Sequence, residues 1–210
     1  MKNYLRLLYA NLVLLLLAVP AYGNLSQQLN LEFNTLTNRD GLSNGQVNCI
    51  LQDNRGYMWF ATQSGLNRYD GFRFRNFFNK NLDEKTIPNN SVDDIQQDWK
   101  GNLWIHTSVG YCIYQYDKET FDRHPEKWLS SVGVNGNIYK VFIDSNKNFW
   151  FMLYEQGCCF VEGQTLKSHL FSYKDMGVKK GELVSSITEQ HGTAVLSFNT
   201  VSYTHLTLPT

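Results

Sequence analysis

The side chains best suited to acid–base catalysis in this chain are five histidines: His106, His124, His169, His191 and His205. Acid–base catalysis needs two or more titratable groups held at one place. These five occupy unrelated positions in the repeats that organise the chain. The sequence also lacks a glycine-rich phosphate loop and a Gly-x-Ser-x-Gly nucleophile motif. The pattern therefore predicts no catalytic residue and no cofactor in this segment.

Four cysteines are the candidates for metal binding or disulfides: Cys49, Cys112, Cys158 and Cys159. Their spacing is unlike that of a zinc site, because two of them are adjacent and no histidine stands at zinc-finger spacing from them. An even number of cysteines in an exported chain permits disulfides, so their redox state stays open. We favour small apolar side chains on strands and predict no metal site.

Aspartates recur in a third pattern, in which a glycine follows three residues later and a tryptophan six residues later. The copies are Asp53, Gly56 and Trp59, then Asp98, Gly101 and Trp104, then Asp144 and Trp150 without the glycine. The pattern resembles the aspartate box of sialidases only loosely, because the Asp–Gly spacing differs. Asp and Gly are typical turn residues, so we interpret these aspartates as turn formers.

The same residues mark an internal repeat of 45–46 residues, the distance between successive tryptophans. Aliphatic residues precede each aspartate at fixed distances: Val47 and Ile50, Val92 and Ile95, Ile138 and Val141. A fourth, weaker copy has Val184, Ile187 and Gly192, with Val195 in place of the tryptophan. The repeat predicts a fold built from identical structural units.

Each unit is predicted to form four short antiparallel strands. In the first copy these are residues 46–52, 57–62, 66–69 and 72–77, and Asp70-Gly71 is a strong hairpin signal. A helical repeat also fits Val47, Ile50 and Leu51, but Gly, Asp and Asn interrupt the chain too often for it. We predict an all-β fold of four-stranded β-propeller blades with the tryptophans in the core between blades. A ring of sugar-stacking tryptophans is the alternative.

The blades are expected to form an incomplete ring of about three and a half blades. Their predicted ranges are 43–78, 88–124 and 134–172, with the start of a fourth at 181–200, whereas propellers have roughly four to eight blades. Residues 29–36 alternate like the outer strand of a further blade. Residues 201–210 lack the glycine turn and third strand due there, and we interpret them as a non-native tail. The chain is thus predicted to be a propeller fragment.

Residues 1–23 have the three-part layout of a secretory signal peptide. Lys2 and Arg6 precede an apolar run over 12–19, and Ala21 and Gly23 stand at the −3 and −1 positions of a cut before Asn24. An uncleaved anchor is the alternative, although the run is short for a spanning helix of roughly 20 residues. Cleavage leaves 187 residues with 17 basic and 19 acidic side chains, a net charge of −2. We expect an exported chain.

Composition excludes two other classes of protein. Hydrophobic residues make up 42% of the chain, which is too many for a disordered segment. Basic and acidic residues number 19 each and form no charge block, so we expect no nucleic-acid partner.

The first repeat resembles the two-component regulator propeller family. The resemblance rests on Gly41-Leu-Ser-Asn44, Val47, Ile50, Asp53, Gly56, Trp59, Thr62 and Gly65-Leu-Asn-Arg-Tyr-Asp70. The second copy departs from it at Gly110-Tyr111, and the third lacks the turn glycine. The resemblance implies the N-terminal periplasmic sensor region of a hybrid two-component histidine kinase, an inner-membrane receptor for polysaccharide breakdown products and a homodimer at full length. Kinase activity would then belong to the longer parent and not to this segment.

Antiparallel blades give a propeller two faces. The upper face carries the starts of the first strands and the turns between second and third strands, and the lower face carries the remaining tight turns. Candidate ligand-binding residues on the upper face are Asn44, Gln63, Ser64, Asn89, Ser108, Asn135 and Gln156, with Tyr111 and Tyr154 as stacking platforms. Amides, hydroxyls and flat rings suit an oligosaccharide. For the asparagines we favour the alternative that they cap their own turns.

The leading hypothesis is an extracytoplasmic ligand-sensing segment of a signalling receptor that responds to oligosaccharides. Its other partners would be the remainder of its own propeller and receptor chain. The alternatives are a secreted propeller enzyme of the lyase or hydrolase type and a propeller for protein–protein contact. They stay open because a propeller fold by itself does not determine function.

Overall fold

The structure is a computed structural model that describes residues 33–179, 182–190 and 193–198, together with the backbone of residues 203–206. The chain divides into two compact units, Met1–Thr35 and Leu36–Thr210. In the first unit, residues 33–35 belong to no regular element, and the predicted signal peptide lies outside the described residues. The strands and the sites all lie in the second unit.

Within the described residues, the strands form four separate antiparallel sheets. The first sheet contains β1 (Val47–Gln52), β2 (Met58–Thr62), β3 (Gly65–Tyr69) and β4 (Phe74–Phe77). The second contains β5 (Val92–Gln97), β6 (Leu103–Thr107), β7 (Gly110–Gln115) and β8 (Thr120–Asp122). The third contains β9 (Ile138–Ile143), β10 (Phe149–Leu153), β11 (Gly157–Val161) and β12 (Ser168–Ser172). The fourth contains β13 (Val184–Gln190), β14 (Thr193–Phe198) and β15 (Tyr203–Leu206).

Each sheet orders its strands as they follow in the sequence, which is the topology of a propeller blade. The predicted strands of the first copy agree with the observed ones to within two residues. The Asp70-Gly71 hairpin is closed by Asp70, whose Oδ1 accepts hydrogen bonds from the backbone N–H groups of Phe72 and Arg73. The all-β prediction of an open row of four-stranded blades is confirmed.

The first strand of every blade has a bulge at its second residue. The residues skipped in the pairing are Asn48, Asp93, Tyr139 and Ser185. A bulge re-aims a side chain, and two of these side chains reach the start of the next blade. Asn48 Nδ2 donates to the carbonyl of Val92 over 2.8 Å, and Val184 N–H donates to the Tyr139 hydroxyl over 2.9 Å. At the first and third junctions, the bulged residue therefore ties neighbouring blades together.

The repeated tryptophans lie in the core between blades. Trp59, Trp104 and Trp150 are 0%, 2% and 1% exposed. Trp59 packs in one cluster with Val92 and Ile95 of the second blade. Trp104 shares a cluster with Phe149 and Phe151 of the third blade, and Trp150 shares one with Val184 and Ile187 of the fourth. This confirms their predicted place and excludes a ring of exposed sugar platforms.

A short helix that the sequence did not predict lies between the second and third blades. It is α1 (Glu126–Ser131), and it follows Pro125, whose φ of −66° suits the start of a helix. The helix buries Leu129 and places Trp128 with its ring centroid 5.3 Å from that of Trp104. In the described part of the chain, no helix has the length and apolar character needed to cross a membrane.

Two further predictions differ from the structure. Residues 33–36 form no strand and lead into a 3-10 turn over Asn38–Asp40 that Thr37 caps, and residues 29–32 lie outside the described residues. At the other end, Tyr203–Leu206 pairs with β14 as a third strand, although no third strand was expected there. Antiparallel backbone pairing needs no glycine signal, so the sequence pattern missed it.

Candidate functional site

The repeated aspartates are bound within their own turns. Asp53 Oδ1 accepts hydrogen bonds from the backbone N–H groups of Arg55 and Tyr57, each over 2.9 Å. Its Oδ2 accepts the indole N–H of Trp59 over 2.6 Å. The same link to the indole is 3.3 Å long for Asp98 and Trp104 and 3.1 Å long for Asp144 and Trp150.

These aspartates are therefore structural, as the spacing predicted. Their exposed fractions are 4%, 7% and 7%. The bond to the tryptophan was not predicted, although the six-residue spacing could have indicated it, because it places both side chains on one hairpin. The turn needs a left-handed residue, which is Gly56 (φ +89°) or Gly101 (φ +85°) in the first two copies and Lys147 (φ +65°) in the third.

On the upper face, two of the three asparagines cap their own turns. Asn44 Oδ1 accepts the N–H of Gln46 over 2.7 Å, and Asn89 Oδ1 accepts the N–H of Ser91 over 2.8 Å. The third, Asn135, is exposed, and its backbone carbonyl accepts a hydrogen bond from Gln156 Nε2 over 2.8 Å.

The structure brings several of the other upper-face candidates together. Asn44 Nδ2 donates to Ser64 Oγ over 3.1 Å. The hydroxyl of Ser91 bonds Gln63 Oε1 over 3.0 Å, and the N–H of Ser108 donates to the carbonyl of Ser91. The predicted polar residues of the first two blades thus form two hydrogen-bonded groups, one with Asn44 and Ser64 and one with Gln63, Ser91 and Ser108.

The two candidate stacking residues differ in accessibility. The hydroxyl of Tyr111 accepts the N–H of Val141 over 2.9 Å, its ring stacks on His106 at 4.5 Å, and burial raises its pKa. Tyr154 is 53% exposed, and its ring lies 4.8 Å from that of Tyr139. Tyr154 is therefore the accessible ring of the pair.

The described histidines lie on different elements: His106 in β6, His124 after β8 and His169 in β12. His106 Nδ1 lies 3.8 Å from Asp93 Oδ2, beyond hydrogen-bond range. Burial lowers the pKa of His106, although Asp93 and Asp94 oppose the shift. Within the described ranges, no group of three His, Cys, Asp or Glu side chains is arranged to hold a metal ion. His191 and the side chain of His205 lie outside the described residues.

All four cysteines are free thiols. Burial raises the pKa of Cys49 and that of Cys159 to about 11, and it also raises the pKa values of Cys112 and Cys158. The adjacent pair lies in β11, where successive side chains point to opposite faces of the sheet. The structure thus agrees with the interpretation of these residues as small core side chains.

The lower face contains a groove that the sequence patterns did not single out. It consists of two adjoining cavities of about 180 and 310 Å³, which share Lys100, Asn102 and Gln115. Trp99, Trp104 and Trp128 line the smaller cavity, and Arg55 and Lys118 line the larger. One signal was available: Trp99 stands in a turn where the other copies have Asn54 and Ser145. We call these two cavities the lower groove.

Comparison with known proteins identifies the repeat. Residues 41–64, which include the first Asp–Gly–Trp turn, match the family model of the two component regulator propeller. These 24 residues thus resemble one repeat of that family. Over 83% of its length it also superposes on the extracellular domain of a hybrid two component system from B. thetaiotaomicron, with a TM-score of 0.59 and 24% identity. That likeness shows the propeller fold.

A curated relative is named a histidine kinase, which is the activity that the sequence resemblance implied for a longer parent protein. Histidine kinase P4 of Formosa agariphila is 39% identical over 62 residues, which are 30% of this chain and 4% of that protein. The superposition on the B. thetaiotaomicron domain covers 26% of that chain. The chain therefore spans a small part of the length of either relative.

Proposed function

We propose that the chain is the exported, periplasmic ligand-sensing segment of a hybrid two-component receptor and that it responds to oligosaccharides. The observation that carries the proposal is the match of residues 41–64 to the two component regulator propeller. The propeller fold and the partial likeness to a histidine kinase support it. Phosphotransfer would belong to other parts of the receptor, with this segment as its non-enzymatic sensor.

The upper face is one proposed contact surface for the ligand. It combines the exposed ring of Tyr154 with the amides of Asn135, Gln63 and Gln156. An aromatic ring supplies an apolar platform for a sugar ring, and amides exchange hydrogen bonds with sugar hydroxyls. The hydroxyl of Ser91 would hold the amide of Gln63 in place, and the carbonyl of Asn135 would hold that of Gln156.

Calorimetry on the complete extracytoplasmic domain tests the function. The probes are xylotetraose and cellotetraose as neutral glycans, tetragalacturonate as a carboxylated one and a carrageenan tetrasaccharide sulfate as a sulfated one. We expect saturable binding of at least one probe and no turnover of it. Hydrolysis or elimination of a bound probe by the purified domain would instead favour a secreted enzyme.

Substitutions test the upper face. Gln63→Ala and Tyr154→Ala are expected to weaken binding about tenfold, because each removes a polar or stacking contact. Phe72→Ala is the matched control, since this exposed ring lies in the Asp70-Gly71 hairpin on the lower face. Unchanged affinity in both alanine variants contradicts the upper-face site.

A further inference from the structure

The junction between the second and third blades lacks a bond that the other two junctions share. At the first junction, the N–H of Asn54 donates to Gln97 Oε1 over 2.9 Å. At the third, Ser145 donates to Glu189 from its N–H over 2.7 Å and from its hydroxyl over 2.6 Å. The corresponding residues at the second junction are Trp99 and Ile143. Ile143 has no polar side-chain atom, so this bond cannot form there.

A second side chain is also missing at this junction. The hydroxyl of Tyr116 in the second blade donates to Asp53 in the first. In the third blade, the residue at the position of Tyr116 is Gly163, because each lies two residues after the β-strand residue that pairs with the start of the preceding strand. A Cβ on Gly163 would lie 2.2 Å from the carbonyl oxygen of Lys147 and 3.2 Å from Trp99 Cδ1, so no larger side chain fits. The space beside Asp98 stays open as the smaller cavity of the lower groove.

That cavity has aromatic walls and a polar rim. Trp99, Trp104 and Trp128 line it together with Asn102, Gln115 and Asp122. Trp99 is 38% exposed, although a tight turn gives no structural reason for a large apolar residue. Indole rings beside amide and carboxylate groups are the surroundings that a sugar ring uses, because it offers both C–H faces and hydroxyls.

The larger cavity is positively charged. It is lined by Arg55, Lys100 and Lys118, with Asp117 as its acidic residue. Arg55 lies over the ring of Tyr116 at 4.1 Å, and Lys100 Nζ lies 4.9 Å from the ring centroid of Trp99. Among the described residues, none of these three cations takes part in an ion pair.

Nearby cations show the contrast. Arg68 and Arg75, from the first blade, both pair with Glu119, at 3.5 and 2.6 Å. Each of these two arginines thus has an acidic partner within the protein. The charges in the larger cavity are available to a ligand, and its balance of three cations against one acid favours an anionic group.

We propose that the lower groove binds an acidic oligosaccharide, with one sugar ring against Trp99 and the carboxylate or sulfate of a neighbouring unit beside Lys100, Arg55 and Lys118. The inference rests on the proposed function in taking a glycan as the ligand. It adds a subsite on the lower face and assigns the ligand a negative charge. The two cavities share Lys100, Asn102 and Gln115, so a single linear chain of sugars spans them.

The test compares the four named probes on the complete extracytoplasmic domain and on two variants. Lys100→Met keeps the length of the side chain and removes its charge, and Trp99→Ala removes the platform. We expect Lys100→Met to weaken binding of the acidic probe about tenfold and to leave any binding of the neutral probes within about twofold. Trp99→Ala is expected to weaken binding of every probe that the wild type binds. Because Lys100 is exposed, its variant remains informative even where Trp99→Ala folds poorly.

Salt and two control variants separate this site from others. Binding of an acidic probe is expected to weaken as sodium chloride rises from about 0.05 to 0.5 M, because ions screen the three cations. Lys174→Met controls for the loss of one positive charge elsewhere, and Phe72→Ala controls for the loss of an exposed aromatic ring elsewhere. Neither control is expected to change the affinity of the lower groove.

Each result supports or overturns the inference. Selective loss of acidic-probe affinity in Lys100→Met supports it. Exclusive binding of neutral probes, or acidic-probe affinity that survives both substitutions, overturns the lower-groove site and leaves the sensing function intact. A wild-type domain that binds none of the four glycans overturns both. If a protein segment binds in the groove and none of the four glycans competes with it, that result also overturns the inference.

Discussion

At the scale of single residues, the aspartates of the repeat are explained by the hydrogen bonds that they accept. Asp144 accepts the N–H of Asn148 over 2.8 Å, its side-chain amide over 3.1 Å and the indole N–H of Trp150 over 3.1 Å. These donors are buried. Removal of the carboxylate would therefore leave each of them without a partner, and water could not take its place. The carboxylate is therefore required to bury the tryptophan between blades.

Asp144→Ala is expected to lower the free energy of unfolding by about 2–3 kcal/mol, because it leaves buried donors unpaired. Urea denaturation of the complete domain, followed by tryptophan fluorescence, measures the change. Asp117→Ala is the control, since Asp117 is an exposed turn aspartate, and it is expected to cost less than about 0.5 kcal/mol. Equal effects of the two substitutions would contradict the structural role of Asp144.

At the scale of the strands, a glycine begins the third strand of each of the first three blades. Gly65, Gly110 and Gly157 have φ values of +121°, +127° and +127°. This conformation favours glycine in every copy. The space around each position differs: a Cβ on Gly157 would lie 2.1 Å from the carbonyl oxygen of Phe171, whereas a Cβ on Gly110 would meet nothing within 4 Å.

Gly157→Ala is expected to be more destabilising than Gly110→Ala by about 2 kcal/mol or more. Both variants carry the backbone strain of a positive φ, which costs on the order of 1–2 kcal/mol. Only the Cβ added in Gly157→Ala also clashes with the carbonyl oxygen of Phe171. Thermal and urea unfolding of the complete domain measure the stability of the two variants. Similar losses of stability would contradict this prediction and would show that β11 and β12 can move apart at no energetic cost.

At the scale of the whole molecule, stability comes from the contacts between blades. Each of the three hydrophobic clusters combines side chains of two neighbouring blades, with Trp59, Trp104 or Trp150 in it. In the described residues the row of four sheets does not close into a ring. The blades at its two ends consequently lack a neighbour on one face, and open strand edges favour association.

Residues 24–210 expressed alone are therefore expected to be poorly soluble or molten. The expected signs are binding of a hydrophobic dye, strand-rich far-UV circular dichroism and broad unfolding. Size-exclusion chromatography and calorimetry on the purified segment check this. A monomer with a sharp, cooperative unfolding transition would contradict the interpretation of the segment as part of a larger ring.

Much of the fold was predictable because the repeat supplies independent copies of one pattern. Three copies of the Asp–Trp spacing indicated the blades and the core position of the tryptophans, and the structure agrees. The helix α1 and the third strand of the fourth blade were missed, because neither belongs to the repeated pattern. The upper-face candidates came from topology, and they stay a prediction as ligand-binding residues.

The sequence by itself determined the blade, its turns and its buried tryptophans, since these depend on local spacing and on alternation along strands. The tertiary structure alone decided what lies between blades. Trp99 belongs to the second repeat and Ile143 and Gly163 to the third, and none of the three indicates a cavity by itself. Together they leave open the space that Tyr116 and Gln97 close at the first junction. A cavity of this kind depends on side chains from two blades, and no pattern within one repeat contains both.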